Sequence, residues 1–69
     1  MDRTPVSSSN VLSIGYDSEK MVLEIEFVSG LVYEYYDVPI HIYENLLASD
    51  SIGGFLHHHV KGFFSYSQV

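Results

Sequence analysis

The sequence predicts an α+β domain in which one antiparallel sheet carries two helices packed on one face, in the order β-β-β-α-α-β. Three observations support this class. Hydrophobic side chains alternate with a period of two across residues 11–16, 21–28 and 31–36, which is typical of strands with one wet face. A helical period follows across residues 39–62, and a short alternating stretch returns at residues 63–69.

Length and composition limit the chain to one small domain. Its 69 residues are too few for two cores, and a chain of this size buries only about 60% of the surface that its unfolded form exposes. Because there is no cysteine, disulfides and thiolate metal sites are excluded, and the fold depends on packing. Residues 1–9, with Pro5 and three consecutive serines, are predicted to be a flexible lead-in to a domain at 10–69.

Acidic residues outnumber basic ones by nine to three. The resulting net charge of −6 has the wrong sign for electrostatic binding of duplex DNA, long RNA or an anionic membrane. No hydrophobic run approaches the roughly 20 residues that span a bilayer, and the N-terminus lacks a signal-peptide pattern. We therefore expect a cytoplasmic protein that binds neither duplex DNA nor a membrane.

The loop around Gly30 determines which residues of the second and third strands face each other. A two-residue turn would place Glu34 opposite Ile25, on the hydrophobic face. A three-residue loop that ends in a left-handed Gly30 gives one face that is wholly hydrophobic. We predict this second register, with one buried face made of Leu23, Ile25, Phe27, Leu31, Tyr33 and Tyr35.

Two helices are expected after the third strand. Pro39 suits the first position of a helix over residues 39–48, because a proline there loses no hydrogen bond. Asp50 or Ser51 can cap a second helix, which Lys61 and Gly62 would end. Its buried face is predicted to contain Ile52, Phe55, Leu56, His59 and Val60.

The histidines at 57–59 are not predicted to hold a metal. Consecutive residues of a helix diverge by about 100°, so three adjacent imidazoles do not converge on one ion. The residues four positions away are not ligands either. We expect His59 to be packed in the core and His57 to point outward.

Two further segments allow a binding or a structural interpretation. Glycines at the start of the second helix, in Ser51-Ile52-Gly53-Gly54, let backbone N–H groups approach an anion or let the helix lie close to a neighbour. Close packing is favoured, since no phosphate-loop pattern accompanies them. Tyr33 and Tyr35 can stack on bases or fill the core, and the preferred register favours the core and leaves Tyr36 with the glutamates.

Catalysis is not expected. Glu24, Glu26 and Glu34 could form a pair with separated pKa values, but their alternation with hydrophobic residues explains them as a solvated strand face. No nucleophile motif surrounds any serine, and no cofactor motif is present. We expect neither an enzyme nor a bound cofactor or metal.

The order and spacing of several segments together resemble the KTSC domain, a family named after the C-terminal end of some lysyl-tRNA synthetases. The similarity covers nearly the whole chain from Ser8 onward. It implies a bacterial or phage domain of unassigned function, for which the synthetase context suggests RNA binding. The segments are Ser8-Ser9-Asn10-Val11, Ile14-Gly15-Tyr16-Asp17, Leu23-Glu24-Ile25-Glu26-Phe27, Gly30, Tyr33-Glu34-Tyr35, Val38-Pro39, Tyr43, Ala48, Ser51, Gly53 and Phe55.

Two functional hypotheses follow. In the first, the chain is a non-catalytic binding module for a nucleotide or a short single-stranded RNA. In the second, it is a homo-oligomeric interaction or adaptor domain without nucleic-acid binding, since the last strand has no charged residue after Lys61 to discourage edge pairing. The ligand-binding candidates are Tyr36, Ser51, Gly53, Gly54, His57 and Lys61.

Overall fold

The computed structural model describes residues 1–69 and confirms the α+β class. Five antiparallel strands form one sheet in chain order: β1 (Arg3–Pro5), β2 (Val11–Asp17), β3 (Val22–Phe27), β4 (Val32–Tyr35) and β5 (Tyr66–Gln68). Between β4 and β5 lie α1 (Ile40–Ala48) and α2 (Ile52–Phe55), which continues into a π-helical turn, Leu56–Val60. Neither helix has the length and hydrophobicity that crossing a membrane requires. The observed order is β-β-β-β-α-α-β, with one strand more than predicted.

The additional strand lies in the segment expected to be a flexible lead-in. β1 pairs with β2 through Arg3 opposite Gly15 and Pro5 opposite Ser13. Its three side chains are exposed, so it adds little to the core. Backbone hydrogen bonds hold β1 in place, so its side chains need not be hydrophobic. For that reason the hydrophobic pattern of the sequence did not indicate this strand.

The predicted register of β3 and β4 is confirmed. Leu23 lies opposite Tyr35 and Ile25 opposite Tyr33. The Phe27 N–H donates to the Leu31 carbonyl at 2.9 Å, and Gly30 adopts a φ of +94° that favours glycine. Leu31, however, is 42% exposed rather than buried, since it precedes β4 at the end of the hairpin and is not packed against the core.

A bulge in β2 overturns part of the expected alternation. Val11 and Ile14 are both buried, whereas Leu12 is 46% exposed. The pairing shifts between Val11 and Ser13, which inserts an extra residue and turns Leu12 away from the core. The period of two expected across residues 11–16 is therefore interrupted between Val11 and Ser13.

The helices pack on the hydrophobic sheet face and complete the core. Of the two predicted cap residues, Asp50 and Ser51, it is Ser51 that caps α2, its Oγ accepting from the Gly54 N–H at 3.1 Å. The prediction for His59 is wrong: His59 is exposed. In the π-helical turn the Lys61 N–H donates to the Leu56 carbonyl, five residues back, so the wider turn rotates His59 outward. The core contains Val11, Ile14, Leu23, Ile25, Tyr35, Val38, Leu46, Ile52, Leu56 and Val60.

Candidate functional site

The six predicted binding residues do not form one cluster. Ser51, Gly53 and Gly54 lie together at the start of α2, where they line an open depression. Lys61 follows the π-helical turn on the same side of the sheet and shares a second depression with Gly53. His57 is exposed on that turn, beside His58. Tyr36 lies on the opposite face of the sheet, among glutamates.

The sheet face without helices carries three glutamates, which we call the acidic face: Glu24, Glu26 and Glu34. Each carboxylate already has a protein partner. Glu24 pairs with Arg3 at 3.2 Å, and Glu26 accepts from the Ser13 hydroxyl at 2.8 Å. Glu34 accepts from the Tyr36 hydroxyl at 3.4 Å. The arrangement stabilises the sheet surface and leaves Tyr36 far from the other candidates.

The first turn of α2 borders a polar depression of about 220 Å³. The hydroxyl of Ser51 is engaged in the cap, and the carboxylate of Asp50 lines the opening. A β-carbon on Gly53 would lie 3.1 Å from the Asn10 Nδ2, so this glycine allows close approach of the two segments. These contacts favour the packing interpretation, because Asp50 would repel an anion. We call this depression the serine cleft, lined by Ser7, Ser8, Ser9, Asn10, Asp50, Ser51, Ile52, Gly53 and Gly54.

Three aromatic side chains form a second surface on the helix side of the sheet, the aromatic patch: Phe27, Tyr33 and Tyr66. The ring centroids of Phe27 and Tyr33 are 5.6 Å apart, and those of Tyr33 and Tyr66 are 5.7 Å apart, both edge to face. Tyr66 is 62% exposed, and Phe27 and Tyr33 are half-buried. The patch is therefore open to solvent although its residues alternate like core residues.

Tyr35 anchors the patch to the core beneath it. Its side chain is only 3% exposed, and its ring lies 5.7 Å from that of Tyr66. Burial raises the pKa of the Tyr35 hydroxyl above 10.0, and the neighbouring Tyr33 and Tyr66 add to the rise. Both tyrosines were expected in the core: Tyr35 is buried there, whereas Tyr33 packs against the core and is only half-buried.

Lys61 supplies the positive charge beside the aromatic patch. Its Nζ lies 5.3 Å from the centroid of the Phe27 ring, within the range of a cation–π contact. Lys61 has no ion-pair partner, since the one ion pair of the structure joins Arg3 and Glu24. An open depression of about 420 Å³ lies between Lys61 and the tyrosines, and no carboxylate lines it.

The histidine run is not arranged as a metal site. The rings of His57 and His58 are 5.1 Å apart and perpendicular, while His59 packs against Phe55 at 4.7 Å. No group of three His, Asp or Glu side chains in the structure is placed to hold a metal ion.

Sequence reasoning missed four residues of the helix-side surface: Asn10, Phe27, Tyr33 and Tyr66. The aromatic ones were assigned to the core or to the last strand, because alternation shows which face a residue shares but not whether a helix covers it. The spacing of Phe27, Tyr33 and Tyr66 on one face was a usable signal. It becomes a surface only because α1 and α2 leave that part of the sheet open.

Comparisons with known proteins agree with this architecture. The family model for the KTSC domain matches residues 7–66. The crystal structure of a KTSC domain protein from Yersinia pestis superposes with a TM-score of 0.96 and 40% identity, over 99% of this chain and 96% of that one.

The relatives of this chain include a protein of similar length and a much longer one. An uncharacterized protein of Stutzerimonas stutzeri is 45% identical over 53 residues, which are 77% of this chain and 75% of that protein. A lysine–tRNA ligase of Trichormus variabilis is 43% identical over 54 residues, 78% of this chain but 10% of the ligase. The same kind of domain thus stands nearly alone in one relative and forms a small part of a tRNA ligase in another.

Proposed function

The chain belongs to the KTSC domain family, and we propose that it is a non-catalytic binding module whose ligand is a nucleotide or a short single-stranded RNA. The relationship to part of a lysine–tRNA ligase supports an RNA-related ligand. No catalytic family is indicated by the matches. A cytoplasmic location, expected from the sequence, stays a prediction.

One observation carries the proposal: an exposed aromatic patch lies beside an unpaired lysine. Every base has a π-face, and stacking on an aromatic side chain stabilises a bound base by about 1–3 kcal/mol. Lys61 is placed to attract the phosphate of the same nucleotide, and no carboxylate lines the depression between them. The glutamates of the acidic face lie on the other side of the sheet.

Charge distribution also limits the ligand to something small. The net charge of −6 opposes a long polyanion, because such a ligand needs many phosphate contacts and the chain has only three basic residues. An unstacked base, in contrast, needs only an exposed ring and one nearby cation. A single nucleotide or a short strand fits this limited site better than a duplex.

A titration of the protein with uridine and adenosine monophosphates and with a short oligouridylate tests the proposal. We expect binding that Tyr66→Ala weakens by about 5- to 100-fold, the loss of one stacking partner. Tyr36→Ala, an aromatic truncation on the opposite face, is the matched control and should leave the affinity unchanged. Heteronuclear NMR gives both the affinity and the location of the shifts. Absence of saturable binding, or equal loss in both variants, would contradict the proposal.

The alternative is a homo-oligomeric interaction domain. It is favoured by the exposed edge of β5, around which Phe63, Tyr66 and Val69 are 69%, 62% and 62% exposed. Analytical ultracentrifugation at tens of micromolar separates the two functions. A dimer that dissociates in Phe63→Ser and does not respond to nucleotides supports the alternative, whereas a monomer at all concentrations excludes it.

A further inference from the structure

Three depressions on the helix side of the molecule lie next to one another and share lining residues. The depression beside the aromatic patch and a central one of about 300 Å³ share Lys61. The central depression and the serine cleft share Asn10 and Gly53. Taken in order they trace a path from Tyr66, past Lys61 and Asn10, to the serines that precede β2, and we call this path the groove.

The chemistry of the groove changes along its length. One end offers aromatic rings, and the middle offers the cation of Lys61 above Phe27. The far end offers hydroxyls, an amide and the carboxylate of Asp50. A carboxylate repels phosphate but accepts hydrogen bonds from ribose hydroxyls and base amino groups. A phosphate is thus accommodated in the middle, and a sugar or a base edge at the far end.

Several polar groups of the serine cleft are free to bind. The Ser8 hydroxyl accepts from the N–H groups of Asn10 and Val11, and the Ser51 hydroxyl is used by the cap. The side chains of Ser7, Ser9 and Asn10, in contrast, form no hydrogen bond within the protein and are exposed. Asn10 stands at the junction with the central depression, against Gly53.

We propose that this groove binds a single-stranded RNA of about four nucleotides, the short end of the range that single-strand-binding modules cover. A base at one end stacks on Tyr66 and Tyr33, and the phosphate that follows lies at Lys61. The next ribose and base edge contact Asn10 and Ser9, where a 2′-hydroxyl has hydrogen-bonding partners, and the remaining nucleotides follow the serine cleft. The inference rests on the proposed function and extends it, since a mononucleotide would fill the aromatic end alone.

A length series tests this extension. Isothermal titration or NMR with uridine monophosphate and with oligouridylates of two, three, four and six nucleotides should show affinity rising by about tenfold up to four nucleotides and levelling off beyond. The deoxy analogue of the four-nucleotide ligand should bind several-fold more weakly. Equal affinity for the monophosphate and the four-nucleotide RNA would overturn the groove and leave the stacking site intact.

A substitution at Asn10, where the central depression meets the serine cleft, tests binding at the far end of the groove separately from binding at the aromatic end. Asn10→Ala should reduce the affinity for the four-nucleotide RNA by about fivefold and leave that for the monophosphate unchanged. Asn45→Ala, on the exposed face of α1, is the matched control. If Asn10→Ala behaves like Asn45→Ala toward every ligand, the far end is not a binding surface. If neither the monophosphate nor the longer RNA binds, the proposed function fails together with the groove.

Discussion

Two halves of the same sheet face differ in what covers them. Ile14, Leu23 and Ile25, on β2 and β3, have no exposed surface, because the helices lie over them. On the same face, Tyr66 of β5 is 62% exposed and Tyr33 of β4 is half-buried. Both halves have a strand alternation with hydrophobic residues on the same side. The comparison shows that alternation assigns a residue to a face, while helix coverage determines whether that face is core or surface.

Truncating one side chain in each half tests whether only the covered half is core. Ile25→Ala should destabilise the fold by about 2–5 kcal/mol, because it leaves a cavity in a packed core. Tyr66→Ala should cost about 1 kcal/mol or less, since most of that side chain is exposed. Urea unfolding followed by circular dichroism measures both. Equal losses would mean that the aromatic patch is a second core.

A comparison of nucleic acids tests whether the aromatic half or the overall charge dominates binding. Duplex DNA hides its base faces, and the net charge of −6 opposes long RNA, so their dissociation constants should be no tighter than about 10⁻⁴ to 10⁻⁶ M at physiological salt. Filter binding or fluorescence anisotropy gives these values. A nanomolar dissociation constant for duplex DNA would show that the negative charge of the protein does not restrict it to small ligands.

Removing the cation of the aromatic half should have a smaller and salt-dependent effect. Lys61→Gln keeps the length of the side chain but removes one phosphate contact, so the slope of log affinity against log salt should fall by about 0.7. Lys20→Gln, which removes a lysine beside the acidic face, serves as the matched control. An unchanged slope in Lys61→Gln would remove this lysine from the site.

The smallest expected effect is the pH dependence of Tyr35, at the border between the two halves. The pKa of its hydroxyl is raised above 10.0 by burial, so its contribution to stability is complete below pH 10 and is lost as the pH rises through the folded-state pKa. Tyr35→Phe should flatten the fall in unfolding free energy above pH 10. The pKa of the Tyr16 hydroxyl is also raised, by burial and by Asp17. Part of the fall in unfolding free energy should therefore remain in Tyr35→Phe. Urea titrations between about pH 9 and 11.5 measure the unfolding free energy of the protein and of Tyr35→Phe for this comparison.

The features that sequence reasoning predicted best are those with a local cause. The register of β3 and β4 followed from Gly30 and from the need to keep Glu34 off the hydrophobic face, and the structure has that register. The cap of α2 was narrowed to Asp50 or Ser51 by their place before a helical period, and Ser51 is the one that caps. In both cases a few neighbouring residues determine the outcome.

The features that were missed depend on backbone geometry or on distant packing. In β2, a bulge inserts one extra residue and turns Leu12 outward. After α2, the π-helical turn is wider than an α-helical one and exposes His59. A periodic hydrophobic pattern reveals neither change. β1 pairs through its backbone and so leaves no hydrophobic pattern. Of the candidate site, Lys61 and the region of Ser51 and Gly53 fall along the groove, whereas Tyr36 lies across the sheet.

The proline of β1 limits how far copies of this sheet can assemble edge to edge. The Val6 N–H donates to the Leu12 carbonyl at 3.1 Å, so by strand alternation the Pro5 nitrogen points away from the sheet. The outer edge of β1 therefore lacks a donor there, while each residue of β5 keeps its N–H. When two copies pair their β5 strands about a twofold axis, neither copy has an unpaired β5 edge left. An open filament would also need the outer edge of β1, where Pro5 leaves one hydrogen-bond donor fewer.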